Sequence, residues 1–246
     1  MKSTERHKLK ENEFARSVAR ARDVMETRGR DVGLIAVAVA LVVALIGGYV
    51  WWRQSREAKA GVALAAALAV YEAPVVPVAP PAPGSPMPVP QPGIYQTEQA
   101  KLDAALPKFV AAADQFPNTG AGVVARYHAA GILASLGRFA EAEQRYQEVV
   151  DKAGREIYGR TARLGLADAQ VAQGKFDPAI KLYQDLTTDS SSQLPIDGVL
   201  MQLGRAFAKA GKKDDAVRTF NRVVEEFPQS LYAADARREL EDVKKG

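Results

Sequence analysis

Gly137-Arg-Phe-Ala-Glu-Ala142, Gly174-Lys-Phe-Asp-Pro-Ala179 and Gly211-Lys-Lys-Asp-Asp-Ala216 recur at a period of 37 residues. Each alanine is followed four residues on by an aromatic (Tyr146, Tyr183, Phe220) and three further by an aliphatic residue (Val149, Leu186, Val223). Phe116-Pro117 and Phe227-Pro228 stand 111 residues apart, which is three periods. A fixed period of this size marks a helical solenoid. The spacing has a physical basis. Glycine ends the first helix of each hairpin, where the turn favours positive φ, and the alanine lets two helices cross closely. Asp177 reads as an N-cap and Pro178 as the first helical residue. The aromatic and aliphatic residues share one helix face and fill the space under the next hairpin, and Phe-Pro then stops that helix. The expected fold class is all-α.

The core G-x-x-x-x-A-x-x-x-[FY] resembles that of the tetratricopeptide repeat, matched three times and most fully in the third copy, which adds Leu203, Gly204, Phe207 and Pro228. Arg126, Arg163 and Leu200 stand where that consensus places an early Trp, and the period exceeds the usual ~34 residues, so longer connections such as Asp189 to Pro195 are expected. Residues 97–116 read as the second helix of an earlier repeat, with residues 56–72 as candidates for its first helix. Residues 230–244 read as the polar capping helix that a solenoid needs at its end.

Outward from the repeats, Val32 to Trp52 (VGLIAVAVALVVALIGGYVWW) holds 21 residues without charge, Pro, Asn or Gln. As a helix rising ~1.5 Å per residue it matches the roughly 30 Å hydrocarbon layer of a bilayer. Only a helix satisfies every backbone group of a single segment there. Tyr49, Trp51 and Trp52 suit the headgroup layer at its end. The rival reading, a cleaved signal peptide releasing a soluble adaptor, requires a shorter apolar region of about 7–15 residues. A single-pass signal anchor fits better.

The net charge of +4 divides informatively. Residues 1–31 carry nine Lys/Arg against six Asp/Glu, residues 53–72 three against two, and residues 96–246 carry 21 of each. The excess therefore lies beside the apolar run, and a neutral repeat domain is not the basic surface that nucleic acid requires. No cysteine is present, which excludes disulfides, thiol catalysis, thiolate metal sites and a lipidated N-terminal Cys.

Residues 3–31 read as an amphipathic helix, with Phe14, Val18, Ala21 and Met25 on one stripe. Arg16, Arg20, Arg22, Arg28 and Arg30 outnumber Arg53, Arg56 and Lys59 beyond the span, which places the N-terminus in the cytoplasm. Ala36, Ala40, Ala44 and Gly48 form a ridge of small residues, either a dimer seam or a docking face for a membrane partner. Residues 73–96 follow a helical extension and hold nine of the fourteen prolines, so they are expected to be a semi-rigid polyproline II spacer reaching about 70 Å at ~3.1 Å per residue. The expected organisation is thus 1–31 cytoplasmic segment, 32–52 transmembrane helix, 53–72 helical extension, 73–96 Pro-rich linker and 97–246 repeat domain.

A short basic N-terminus, one span and a repeat domain together resemble the bitopic inner-membrane tetratricopeptide family typified by the ancillary subunit of the SecYEG translocon. The repeats are also similar to those of the Tol-Pal cell-division coordinator. The first resemblance implies a periplasm-facing scaffold beside the translocon that hands emerging proteins to chaperones, and the second implies an envelope-division or outer-membrane-assembly role. Catalysis is not expected: His7 and His128 fall in different compartments and no phosphate loop, metal site or cofactor motif is present. A solenoid instead offers a groove lined by its first helices. Registering each copy on its glycine places Tyr127, Gly131, Leu164, Asp168, Met201, Arg205 and Lys209 along that groove, where they are expected to contact an extended or helical protein segment. The Lys-Asn clamp for peptide carboxylates is absent from the matching positions.

Overall fold

The computed structural model describes residues 3–77, 92–188 and 194–245, except that within 3–32 it describes side chains at Ala19, Arg30 and Asp31 only. The chain divides into two units, residues 1–55 and 56–246. All elements formed by the described residues are helices: α1 (Ser3–Tyr71), α2 (Glu98–Gln115), α3 (Gly120–Ser135), α4 (Phe139–Ala153), α5 (Ile157–Ala172), α6 (Phe176–Thr188), α7 (Ile196–Lys209), α8 (Lys213–Glu226) and α9 (Ala233–Lys245).

In the first unit, the expected stripe of Phe14, Val18, Ala21 and Met25 lies outside the described side chains. From Gly33 onward α1 is long and apolar enough to cross a membrane. Its large apolar residues from Leu34 to Trp52 are 52–73 % exposed, so most of their surface is left uncovered within the unit.

In the second unit, consecutive helices pack pairwise from α2 to α9, and the first helices α3, α5 and α7 also touch in sequence. Gly137, Gly174 and Gly211 lie at φ 73, 75 and 73°, as the repeat required. Each closes the same double hydrogen bond. Gly137 N donates to Ala134 O at 3.0 Å and Arg138 N to Leu133 O at 2.9 Å, and the pattern returns at Gly174 and Gly211. This Schellman arrangement satisfies carbonyls that the helix end leaves without donors. Ala142, Ala179 and Ala216 are fully buried, and Tyr146, Tyr183, Phe220, Val149, Leu186 and Val223 join the core beside them.

The last turns of α1 belong to this unit. Ala60 and Ala67 are 1 % and 0 % exposed, while Leu64, Leu68 and Tyr71 pack on the cluster that holds Leu102, Phe109 and Ala129. Glu57 accepts from the amides of Gly120 and Ala121 at 3.2 and 3.1 Å, which places a carboxylate on the open N-terminal amides of α3. These turns therefore stand as the partner of α2.

The structure differs from the sequence reading at two places. Val76 N donates to Tyr95 O at 2.8 Å and Tyr95 N to Pro74 O at 3.1 Å, so the described ends of the 73–96 segment are fastened together rather than drawn apart as a spacer. Residues 78–91 of it lie outside the described residues, as do residues 189–193 of the expected long connection. Helix α6 begins at Phe176, so Asp177 sits in its first turn and pairs with Lys212 at 2.7 Å instead of capping it. Pro178 falls in that same turn, where amides have no intrahelical acceptor to lose.

Arg126, at the consensus Trp position, is 4 % exposed. Its Nη2 donates to Ala113 O at 3.1 Å, and its Nε lies 2.7 Å from Glu148 Oε2 without pointing at it. Arg126→Ala is expected to destabilise the fold by about 3 kcal/mol, at the low end for a broken buried pair because the stranded carboxylates keep some solvent. Arg126→Met is expected to be far milder, since its aliphatic stem replaces that of Arg. Urea midpoints of the two variants check this.

Candidate functional site

The sequence-derived groove residues lie on α3, α5 and α7, and the structure sorts them into two neighbourhoods. Tyr127 is half-buried in an aromatic cluster, edge-on to Tyr158 at 5.5 Å, His128 at 5.8 Å and Tyr146 at 6.0 Å between centroids. Gly131 follows one turn later, with the Tyr146 hydroxyl 3.6 Å from where a Cβ would stand. His128 stacks on Phe109 at 5.1 Å and meets Tyr71, joining α1, α2 and α3.

Burial in this cluster holds the His128 imidazole below its ordinary pKa of 6.5, with the charge of Glu72 opposing. The unfolded chain therefore takes up the proton first as pH falls. Stability attributable to His128 is complete above about pH 6.5 and is lost as pH falls through the lower folded value. The urea midpoint of the wild type is expected to drop more between pH 7 and pH 5 than that of His128→Gln, and parallel curves would contradict this.

The second neighbourhood gathers Asp168, Arg205 and Lys209 with Val171, Ala172, Tyr183 and Gln202 around an open hollow of about 190 Å³ between α5 and α7. The Tyr183 hydroxyl donates to Asp168 Oδ1 at 2.5 Å. Asp168 is exposed as a residue, yet its carboxyl end is crowded, and that burial raises its pKa while the Tyr183 hydrogen bond lowers it. Arg205 donates from Nε and Nη2 to Glu239 Oε1 at 2.8 and 2.6 Å. The exposed Lys209 side chain forms no ion pair or hydrogen bond with the described residues.

Two of the seven residues contribute to the core. Leu164 packs against the second core cluster, and Met201 is 1 % exposed within it. Sequence reasoning missed Val171, Ala172, Tyr183 and Gln202. Gln202 was recoverable from its i,i+3 spacing to Arg205. Tyr183 was recoverable from the repeat itself: Gly131, Asp168 and Arg205 each precede the second-helix aromatic by 15 residues, and a buried Tyr hydroxyl, unlike the matching Phe220, needs a partner. In α1, nothing outside the helix lies within 4 Å of where a Cβ at Gly48 would stand, so this part of the Ala36, Ala40, Ala44 and Gly48 ridge is uncovered.

Comparison with known proteins bears on this geometry. The family model described as a tetratricopeptide repeat-like domain matches residues 31–233, taking in the apolar helix and the 73–96 segment as well as the repeats. Comparison with curated protein sequences gives no match. Among solved structures, a Podosopora anserina putative kinesin light chain with nearly identical TPR-like repeats aligns with TM-score 0.53 at 15 % identity, covering 60 % of this chain and 80 % of that one. A single-residue variant of that protein gives TM-score 0.54 at the same identity, covering 60 % and 79 %. A tetratricopeptide repeat protein from Parabacteroides merdae aligns with TM-score 0.50 at 17 % identity, covering 60 % and 56 %. At these identities the likeness is one of fold alone.

Proposed function

This chain belongs to the tetratricopeptide repeat-like domain family, and from that premise we propose that it is a membrane-anchored scaffold whose repeat groove binds segments of other proteins. The observation that carries the reading is the hollow between α5 and α7, where side chains of opposite charge stand beside the apolar Val171, Ala172 and Tyr183 ring. Groups so placed suit recognition, since the Tyr183 hydroxyl in the lining belongs to a side chain held in the core and serves to orient Asp168. The apolar helix supports the anchor, and the arginine excess before it supports a cytoplasmic N-terminus and a periplasmic repeat domain in the inner membrane.

We further infer a place beside the protein-translocation machinery and periplasmic chaperones, supported by the resemblance of the overall arrangement to the translocon-ancillary family. Photocrosslinkers at Tyr127 and Lys209 in the full chain, activated in native membranes, are expected to capture translocon subunits, chaperones or emerging chains. Capture of Tol-Pal components instead would move the assignment to envelope division. Protease added to intact spheroplasts is expected to degrade residues 97–246, and their protection would overturn the compartment.

A further inference from the structure

We propose that the hollow between α5 and α7 is a subsite for the uncharged side-chain amide of an Asn or Gln in an extended polypeptide, with Asp168 accepting its N–H and Lys209 donating to its carbonyl. The inference rests on the groove being a polypeptide-binding face and specifies what that face reads.

Four observations converge. The hollow, about 190 Å³, falls short of the roughly 300–1,000 Å³ usual for small-molecule pockets, which suits one residue of a longer chain. On the α5 wall, Asp168 has one oxygen occupied by Tyr183, while its second accepts no hydrogen bond from the described residues. On the α7 wall, Arg205 is held by Glu239 through Nε and Nη2, and Lys209 is the cation with no carboxylate partner among the described residues. Asp168 and Lys209 form no ion pair with each other across the gap.

A ligand therefore meets an open acceptor at Asp168 and an open donor at Lys209, with the Gln202 amide beside them and a floor of Val171, Ala172 and the Tyr183 ring. A carboxylate entering there is attracted by Lys209 and repelled by Asp168, and an ammonium group meets the reverse. An amide presents a donor and an acceptor together and satisfies both walls without net charge. Such complementarity selects among segments more than it adds affinity.

The test uses the full chain in nanodiscs and three dye-labelled ten-residue peptides with blocked termini. They share an alternating Ala/Val frame and differ only in a central Gln, Glu or Lys. Fluorescence anisotropy is expected to show the Gln peptide binding about 5-fold or more tighter than the other two. Asp168→Asn, which keeps the shape facing Tyr183, and Lys209→Met are each expected to weaken the Gln peptide about 3- to 10-fold, with circular dichroism unchanged.

Tightest binding of the Glu peptide, strengthened by Asp168→Asn, would overturn the proposal in favour of an acidic ligand. Tightest binding of the Lys peptide, strengthened by Lys209→Met, would overturn it in favour of a basic one. Equal affinities unmoved by either variant, or no binding of any peptide, would remove the subsite. The groove reading then stands or falls separately on the crosslinks from Tyr127 and Lys209 in native membranes.

Discussion

Phe220→Ala is expected to lower the unfolding free energy by about 3–5 kcal/mol, because it deletes a ring with 0 % exposure from the core between α7 and α8. The site has little freedom to collapse, since Ala216 and Val223 on the same helix face are also fully buried. The ring lies directly against Gly204, where an added Cβ would stand 2.5 Å from Phe220 Cε1. Gly204→Ala in the native background is accordingly expected to destabilise by about 1–3 kcal/mol through overpacking. In the Phe220→Ala background the same substitution is expected to become neutral or stabilising, because the atoms it would strike are gone and Ala is the better helix former. The coupling between these two residues should reach roughly 1–3 kcal/mol. Urea unfolding followed by circular dichroism reads it, and additive effects would show that glycine and ring do not share that space.

Val42→Arg is expected to move the chain out of the membrane. Val42 lies near the middle of the apolar stretch and is 53 % exposed within its unit, so no protein group is at hand to receive a guanidinium. Replacing Val by Arg at a helix centre costs roughly 3–4 kcal/mol of insertion free energy, more than a hundredfold in the partition between inserted and released chains. Val62 supplies the contrast. It is 72 % exposed on the same helix but beyond the apolar stretch, and Val62→Arg is expected to leave membrane association intact. Carbonate extraction followed by quantitation of the pellet separates the two. Equal retention of Val42→Arg and wild type would argue against a span at these residues.

What the sequence made legible was whatever repeats or is required locally. Gly137, Gly174 and Gly211 were readable because a left-handed turn residue is a backbone requirement that glycine meets at once. The buried alanine and aromatic positions were readable because they recur in register with those turns. Asp168, Arg205 and Lys209 were placed on one face by the same register, and the structure gathers them. Met201 was not separable from them, because a small rotation of α7 decides whether its side chain joins Leu200 inside or Arg205 outside. Arg126 looked like a polar departure from an aromatic consensus, yet its long stem fills a buried slot while its head reaches Ala113 and Glu148. The pairing of Val76 with Tyr95 joins residues separated by the proline-rich stretch, and no local pattern announces such a contact.

That pairing makes residues 78–91 an opening for protein engineering. Two backbone hydrogen bonds hold the entrance and exit, and doubling the length of chain between two fixed ends costs only about 0.6 kcal/mol. A reporter, affinity handle or second binding module spliced in at Gly84-Ser85 should leave the urea midpoint nearly unchanged. The repeat array could then carry a guest of the experimenter's choosing without redesign of its own packing.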